Sequence, residues 1–178
     1  MDQDAVDIAL LAFRCAIGAV MFAHGWNHLF RGGKVQGTAG WFESLGMRPG
    51  ILHAWIASLA ELAAGVSLVL GLLTPLGAAA VVGTMTVALV TNHRGNGFFI
   101  FRPGEGWEYV MTLIACGVAL GTVGPGHWSL DEALDLFQTD GLPVPGGVGL
   151  AIVLAAGFGG AILLLAAFWR PPAKTDTP

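Results

Sequence analysis

Residues 7–30 read DIALLAFRCAIGAVMFAHGWNHLF, and the fold follows from how that run is understood. A bilayer's hydrocarbon core of roughly 30 Å is crossed by about 20 apolar residues of helix, so the run is long enough to span it. It is not uniformly apolar. Arg14 lies inside it, and His24, Trp26, Asn27 and His28 crowd its far end. An arginine within a membrane helix has to face protein, water or an acid, so the remaining helices must be arranged to satisfy it. No Lys or Arg precedes Arg14. A secretory signal needs a positive leading segment, so this run reads as a retained helix.

The composition agrees. Charged residues make up 11% of the 178 and hydrophobic residues 54%, with a mean hydropathy of +0.69. A soluble domain carries roughly 25% charge, so lipid is the solvent for most of this surface. Five apolar spans can be read: Ile8–Phe30, Leu52–Leu73, Leu76–Val90, Trp107–Val123 and Gly147–Trp169. Backbone in lipid must satisfy its own hydrogen bonds and these runs do not alternate, so helices are expected. The fold class is all-α, a polytopic helical bundle. Thr74-Pro75 leaves almost no loop between the second and third spans.

Five crossings sort the charges. The segments 31–51, 91–106 and 170–178 fall on one side and hold Arg31, Lys34, Arg48, Arg94, Arg102, Arg170 and Lys174, which is seven of the eight basic residues. The other side receives Asp2, Asp4, Asp7, Asp131, Glu132, Asp135 and Asp140 and no base. Basic short loops stay cytoplasmic, so the expectation is a multi-pass protein of a bacterial cytoplasmic membrane, N-terminus outside and C-terminus inside.

The loops suggest further elements. Thr38–Gly46 has helical spacing and reads as a short interfacial turn with Trp41 and Phe42 at headgroup depth. Ser129 and Glu132 have capping-box spacing, which predicts an amphipathic helix over about 129–138. Its apolar face would be Leu130, Ala133, Leu134 and Phe137, with Asp131, Glu132 and Asp135 off it. Residues 141–147 read as an irregular connector and residues 171–178 as a disordered tail. Gly117 with Gly121, and Ala156 with Gly160, have the small-residue spacing that lets membrane helices approach closely, within one bundle or across a homodimer. Cys15 and Cys116 lie within spans and read as packing residues.

The chemistry lies in the polar groups of the spans. Arg14 is seven residues beyond Asp7, about 10 Å along the first helix, and Glu61 is nine residues into the second span, about 13 Å from the opposite end. The depths nearly match, which predicts that Arg14 and Glu61 face each other, either as an architectural pair or as the lining of a polar-headed pocket. His24, Asn27 and His28 lie near the depth of Glu108, with His53 and His93 at the same end, giving a candidate cluster of histidines and a carboxylate. Such a cluster relays protons or binds a metal. The only i, i+4 pair is His24/His28 and no H-E-x-x-H accompanies it, so no metal is expected. Phosphate-loop, nucleophile-elbow and haem-attachment patterns are absent, and nothing points to nucleic acid.

The order of motifs is informative as a whole. Arg14 precedes Phe22-Ala23-His24-Gly25, then Trp41-Phe42-Glu43-Ser44-Leu45-Gly46-Met47, then Glu61-Leu62-Ala63-Ala64-Gly65 and Leu70-Gly71-Leu72-Leu73-Thr74. Gly97-Phe98, Glu105-Gly106-Trp107-Glu108 and Gly124–Asp131 follow. Over about Leu11–Leu134 this resembles the DoxX family of small bacterial membrane proteins. The resemblance implies a four-helix membrane unit, distantly similar to eukaryotic Surfeit-locus cargo receptors, with the fifth span as an addition. Family members have been linked to a thiosulfate:quinone oxidoreductase subunit and to a redox complex with superoxide dismutase and a thiosulfate sulfurtransferase. By position, Arg14, His24, Gly25, Glu61, Gly65 and Glu108 fall on the family's marks. The lysine usual after His-Gly is replaced by Asn27-His28. The expectation is a membrane subunit of a quinone- or thiol/sulfur-linked redox complex, with redox partner proteins and a quinone as the candidate cofactor, and not a self-sufficient enzyme. The alternative is a non-enzymatic scaffold or lipid- or cargo-binding protein.

Overall fold

Asp2 starts the first helix by accepting from the Asp4 amide at 3.3 Å, a side-chain cap that serves one of the orphan N–H groups of a helix start. The computed structural model describes residues 2–136 and 146–172. Helix α1 runs Gln3–Phe30, α2 Lys34–Ser44, α3 Gly50–Leu70, α4 Thr74–Ala88, α5 Glu108–Val123, α6 Leu130–Ala133, α7 Gly146–Ile152 and α8 Gly160–Phe168. A π-helical turn, Leu89–His93, extends α4, and another, Val153–Gly159, joins α7 to α8. Four of these units are long and apolar enough to cross a membrane: Gln3–Phe30, Gly50–Leu70, Thr74–His93 and Gly146–Phe168. Helix α5 is apolar but has 16 residues, about 24 Å of helix. The third span, read as Leu76–Val90, is thus long enough for a full crossing, Thr74–His93.

Helices α1 and α3 pack along their length, α4 packs on α3, α5 and the α7–α8 unit, and α2 lies across α1 and α3. The α1–α3 seam is set by glycines. A Cβ on Gly25 would lie 2.7 Å from the Ser58 carbonyl oxygen, and one on Gly18 would lie 2.9 Å from that of Gly65. Only the missing side chains let these backbones meet, as membrane helix contacts require in the absence of a hydrophobic drive. Gly117 and Gly121 act likewise against Val82 and Val153. Ala156 and Gly160 do not: a Cβ on Gly160 would meet nothing within 4 Å, and Gly157 makes the close contact instead.

Among the described residues, acidic and basic groups make contacts at opposite ends of the bundle. At the acidic end, Asp7 accepts from the His127 amide at 2.9 Å and touches its ring at 3.1 Å. Asp7 lies within α1, which starts earlier than Ile8, at Gln3. At the basic end, the Trp169 indole donates to Leu45 O at 3.0 Å, the Arg170 amide donates to Gly46 O at 2.8 Å, and Arg94 stacks 5.1 Å above the Trp169 ring. This strap ties the end of α8 to the loop after α2.

Two surface expectations are corrected. Phe42 is buried with Ala39, Met47 and Ala54, while Trp41 alone is exposed, because α2 rolls one ring onto the bundle. The helix expected over 129–138 is a single turn, Leu130–Ala133. Ser129 does cap it through the Glu132 amide, but its faces are reversed. Asp131 is 3% exposed while Leu134 is 58% exposed. The cause is the α3–α4 hairpin. Asp131 accepts from Leu73 N at 2.6 Å and Thr74 N at 2.8 Å, so it caps α4, whose own N-cap residue, Leu73, has no side-chain oxygen to do so. Asp131→Asn, which retains one acceptor oxygen and places an amide among donors, is expected to destabilise the protein by about 1–3 kcal/mol, measured by thermal unfolding in detergent. Residues 137–138 of that expected helix, most of the 141–147 connector and most of the tail lie outside the described residues.

Candidate functional site

The expected Arg14–Glu61 pair does not form. Arg14 is completely buried, but its guanidinium donates to Leu68 O at 3.0 Å, Val69 O at 3.3 Å and Trp128 O at 2.5 Å. The first two acceptors are among the last carbonyls of α3, which lack partners within the helix and sit at its negative dipole end. Asp131 is near enough to act on the guanidinium electrostatically. Gly71, the left-handed residue that ends α3, makes room: a Cβ there would lie 2.5 Å from Arg14 Nη1. The registers explain the miss. Antiparallel α1 and α3 place Gly18 beside Gly65 and Gly25 beside Ser58 and Leu62. Arg14 therefore meets residues 68–69, and Glu61 meets the turn around His24 and His28.

Glu61 takes His28 instead. His28 Nδ1 and Glu61 Oε2 are 3.0 Å apart, an ion pair when the imidazole is protonated. The contact is short but misaligned. Both atoms are buried, and neither completes a hydrogen bond of good angle. Buried polar atoms of this kind are uncommon and call for an explanation. These two lie on the wall of a cavity of about 830 Å³, towards the upper end of the range for pockets that enclose drug-sized molecules.

The cavity is mostly apolar, and small residues make it. Ala57 and Ala60 from α3, Ala79, Ala80 and Gly83 from α4, and Ala156, Gly160 and Ala161 from the last span stand where larger side chains would fill the space. Both π-helical turns contribute: Thr91, Asn92 and His93 from one, Ala156 from the other. Such turns are frequent at functional sites. Polar groups converge at a few points. The His24 ring stacks on Tyr109, centroids 6.1 Å apart, with Nε2 3.5 Å from the hydroxyl, at the limit of a hydrogen bond. His93 Nδ1 meets Glu105 O at 2.9 Å. His53 is buried with Nε2 unpartnered. Four of the five histidines line this space.

Of the candidates, His24, His28 and Glu61 are brought together, and His53 and His93 join them. Arg14, Asn27 and Glu108 are not part of the lining. Asn27 is turned about 100° round the helix from His28 and lies in a shallow exposed groove with Phe22, Trp26 and Arg31. Glu108 accepts from the Ile100 amide at 3.2 Å, pinning the loop before α5. Its neighbour Tyr109 was missed. The signal available was that it is the single tyrosine of the chain, placed on the first turn of an apolar helix.

Residues 9–94 match the DoxX family model. The match spans just under half of the chain and is consistent with a DoxX-family protein. The DoxX match covers α1 to α4 and the first π turn and includes His24, His28, His53, Glu61 and His93. Tyr109 on α5 and the Ala156–Leu164 wall lie beyond it, as does Glu108, so the resemblance read out to Leu134 is matched only as far as Arg94. No curated protein and no solved structure matches the chain.

Proposed function

We propose that the cavity of this DoxX-like protein binds the head group of a quinone, and that the protein serves as the membrane subunit of a quinone- or thiol/sulfur-linked redox complex. The family's frequent association with redox functions is consistent with this. The observation that carries the reading is the His28–Glu61 contact: two proton-exchanging groups, buried and imperfectly partnered, on an otherwise apolar wall. A quinone carbonyl needs a donor and a quinol hydroxyl needs an acceptor. An imidazole and a carboxyl together offer either role, according to which of them holds the proton. Reduction of a quinone takes two electrons, supplied by a redox partner protein, and two protons, one delivered by this pair and the other taken from solvent. With the basic loops in the cytosol, the pair lies nearer the cytoplasmic face.

The test is ligand-dependent melting and native mass spectrometry of the purified protein with decylubiquinone. Wild type should bind and be stabilised. Glu61→Gln, which keeps the shape but removes the acid, should weaken binding about tenfold or more, equivalent to about 1.4 kcal/mol. Stabilisation by phospholipid with none by the quinone would sink the reading in favour of a lipid-binding scaffold.

A further inference from the structure

The cavity has two unlike ends, and one wall of the second lies beyond the family-matched segment. Beyond the His28–Glu61 wall it extends between α3 and the last span, lined by Ile56, Ala57 and Ala60 on one side and Ala156, Gly160 and Leu164 on the other. Both elements pack on α4, which floors the gap between them. Helix α8 and its π turn hold to α4 through Gly157, whose Cβ would lie 3.0 Å from Ala79 O. One turn on, Gly160 is exposed and its Cβ would meet open space. Ile56 and Ala156 are exposed along the same opening. At the basic end the gap is shut by the strap, with Trp169 on Leu45 O and the Phe168 ring 5.2 Å from that of His53.

We infer that this gap is a lateral window through which the long apolar chain of the ligand passes into the bilayer, so that the last span selects for a tailed, membrane-dissolved amphiphile. The inference rests on the quinone reading of the His28–Glu61 end and adds what that reading leaves open. The chemistry fits. The window is apolar and built of small residues, it lies between two membrane-spanning units, and it is continuous with a cavity whose polar atoms sit at the far wall. A water-soluble substrate would instead need a route through the strapped end. The wall that shapes the window, residues 156–164, lies outside the segment shared with the family, so chain selectivity belongs to this protein's added span.

The experiment compares two probes on the full-length protein in nanodiscs: decylubiquinone, and the same ring without a chain. Gly160→Phe places a ring in the window without meeting any atom within 4 Å of its Cβ. It should weaken decylubiquinone binding about tenfold or more while leaving the tailless ring within about twofold of wild type. Ala156→Leu narrows the same opening from the turn before and should act in the same direction, covering the case in which the phenylalanine variant does not fold. Unchanged decylubiquinone binding in both variants overturns the window and leaves the head-group site standing. An equal loss of both probes also overturns it, because the effect would then be on the head-group site. If wild type binds neither probe, the quinone reading fails and the window goes with it.

Discussion

Replacing Arg14 by methionine is expected to destabilise the protein by about 3–5 kcal/mol, because buried carbonyls that accept from the guanidinium lose it at about 1–3 kcal/mol each. The carbonyls of Val69 and Trp128 would lose the guanidinium, Leu68 O would keep only the Gly71 amide, and buried Asp131 would lose a nearby positive charge. Unfolding in a denaturing detergent, followed by tryptophan fluorescence, measures the effect. Arg14→Lys should recover only part of it, since one ammonium cannot reproduce a planar fork that reaches three oxygens on two segments. The double variant Arg14→Gln/Glu61→Gln is informative. Glu61 lies seven to eight residues before the carbonyls that Arg14 grips, about 11–12 Å along α3. Effects at that distance add to within about 0.5 kcal/mol. Rescue of the single variants by the double would show that the two side chains pair after all.

Arg14 also marks where the sequence is legible and where it is not. Its presence in an apolar run correctly demands burial, but the demand can be met by neutral oxygens. Helix ends supply such oxygens in quantity, and nothing in a sequence labels them. The same holds for Asp131, whose partners are backbone amides 57–58 residues away. Each charge caps the helix end of opposite dipole sign, Arg14 the C-terminus of α3 and Asp131 the N-terminus of α4, where such charges are favourable. The spans, the segregation of basic loops and the tight α3–α4 hairpin were readable because length, hydropathy and Thr74-Pro75 decide them locally. The cavity was half readable. His24, His28, Glu61, His53 and His93 were visible as polar groups out of place. The space they enclose depends on which alanines and glycines touch a neighbour and which do not, as Gly157 and Gly160 illustrate.

The second large effect is expected at Gly25. Valine there would set Cβ 2.7 Å from Ser58 O and 2.9 Å from Leu62 N, both backbone atoms of a helix that cannot yield locally. Overpacking of this kind costs about 1–3 kcal/mol or more. The damage would not be confined to stability, because Gly25 lies between His24 and His28. Moving α1 outwards withdraws His28 from Glu61, so decylubiquinone binding should fall together with the melting temperature. Gly40→Ala is the control. It lies within α2, its Cβ would meet nothing within 4 Å, and it should be neutral or stabilising by about 0.5–1 kcal/mol. A Gly25→Val protein that melts and binds like wild type would mean that the α1–α3 seam is looser than its contacts imply.

The strap at the basic end bears on how the protein is made. Trp169 and Leu45 are 124 residues apart, so the loop after α2 waits for the end of α8 before this bond can form. Until that helix arrives, α3 and α4 are in the bilayer with one side of their shared hollow unwalled. The compartment is therefore completed only once α8 has followed α3 and α4, and a nascent chain interrupted before α8 would hold the histidines and Glu61 without that wall.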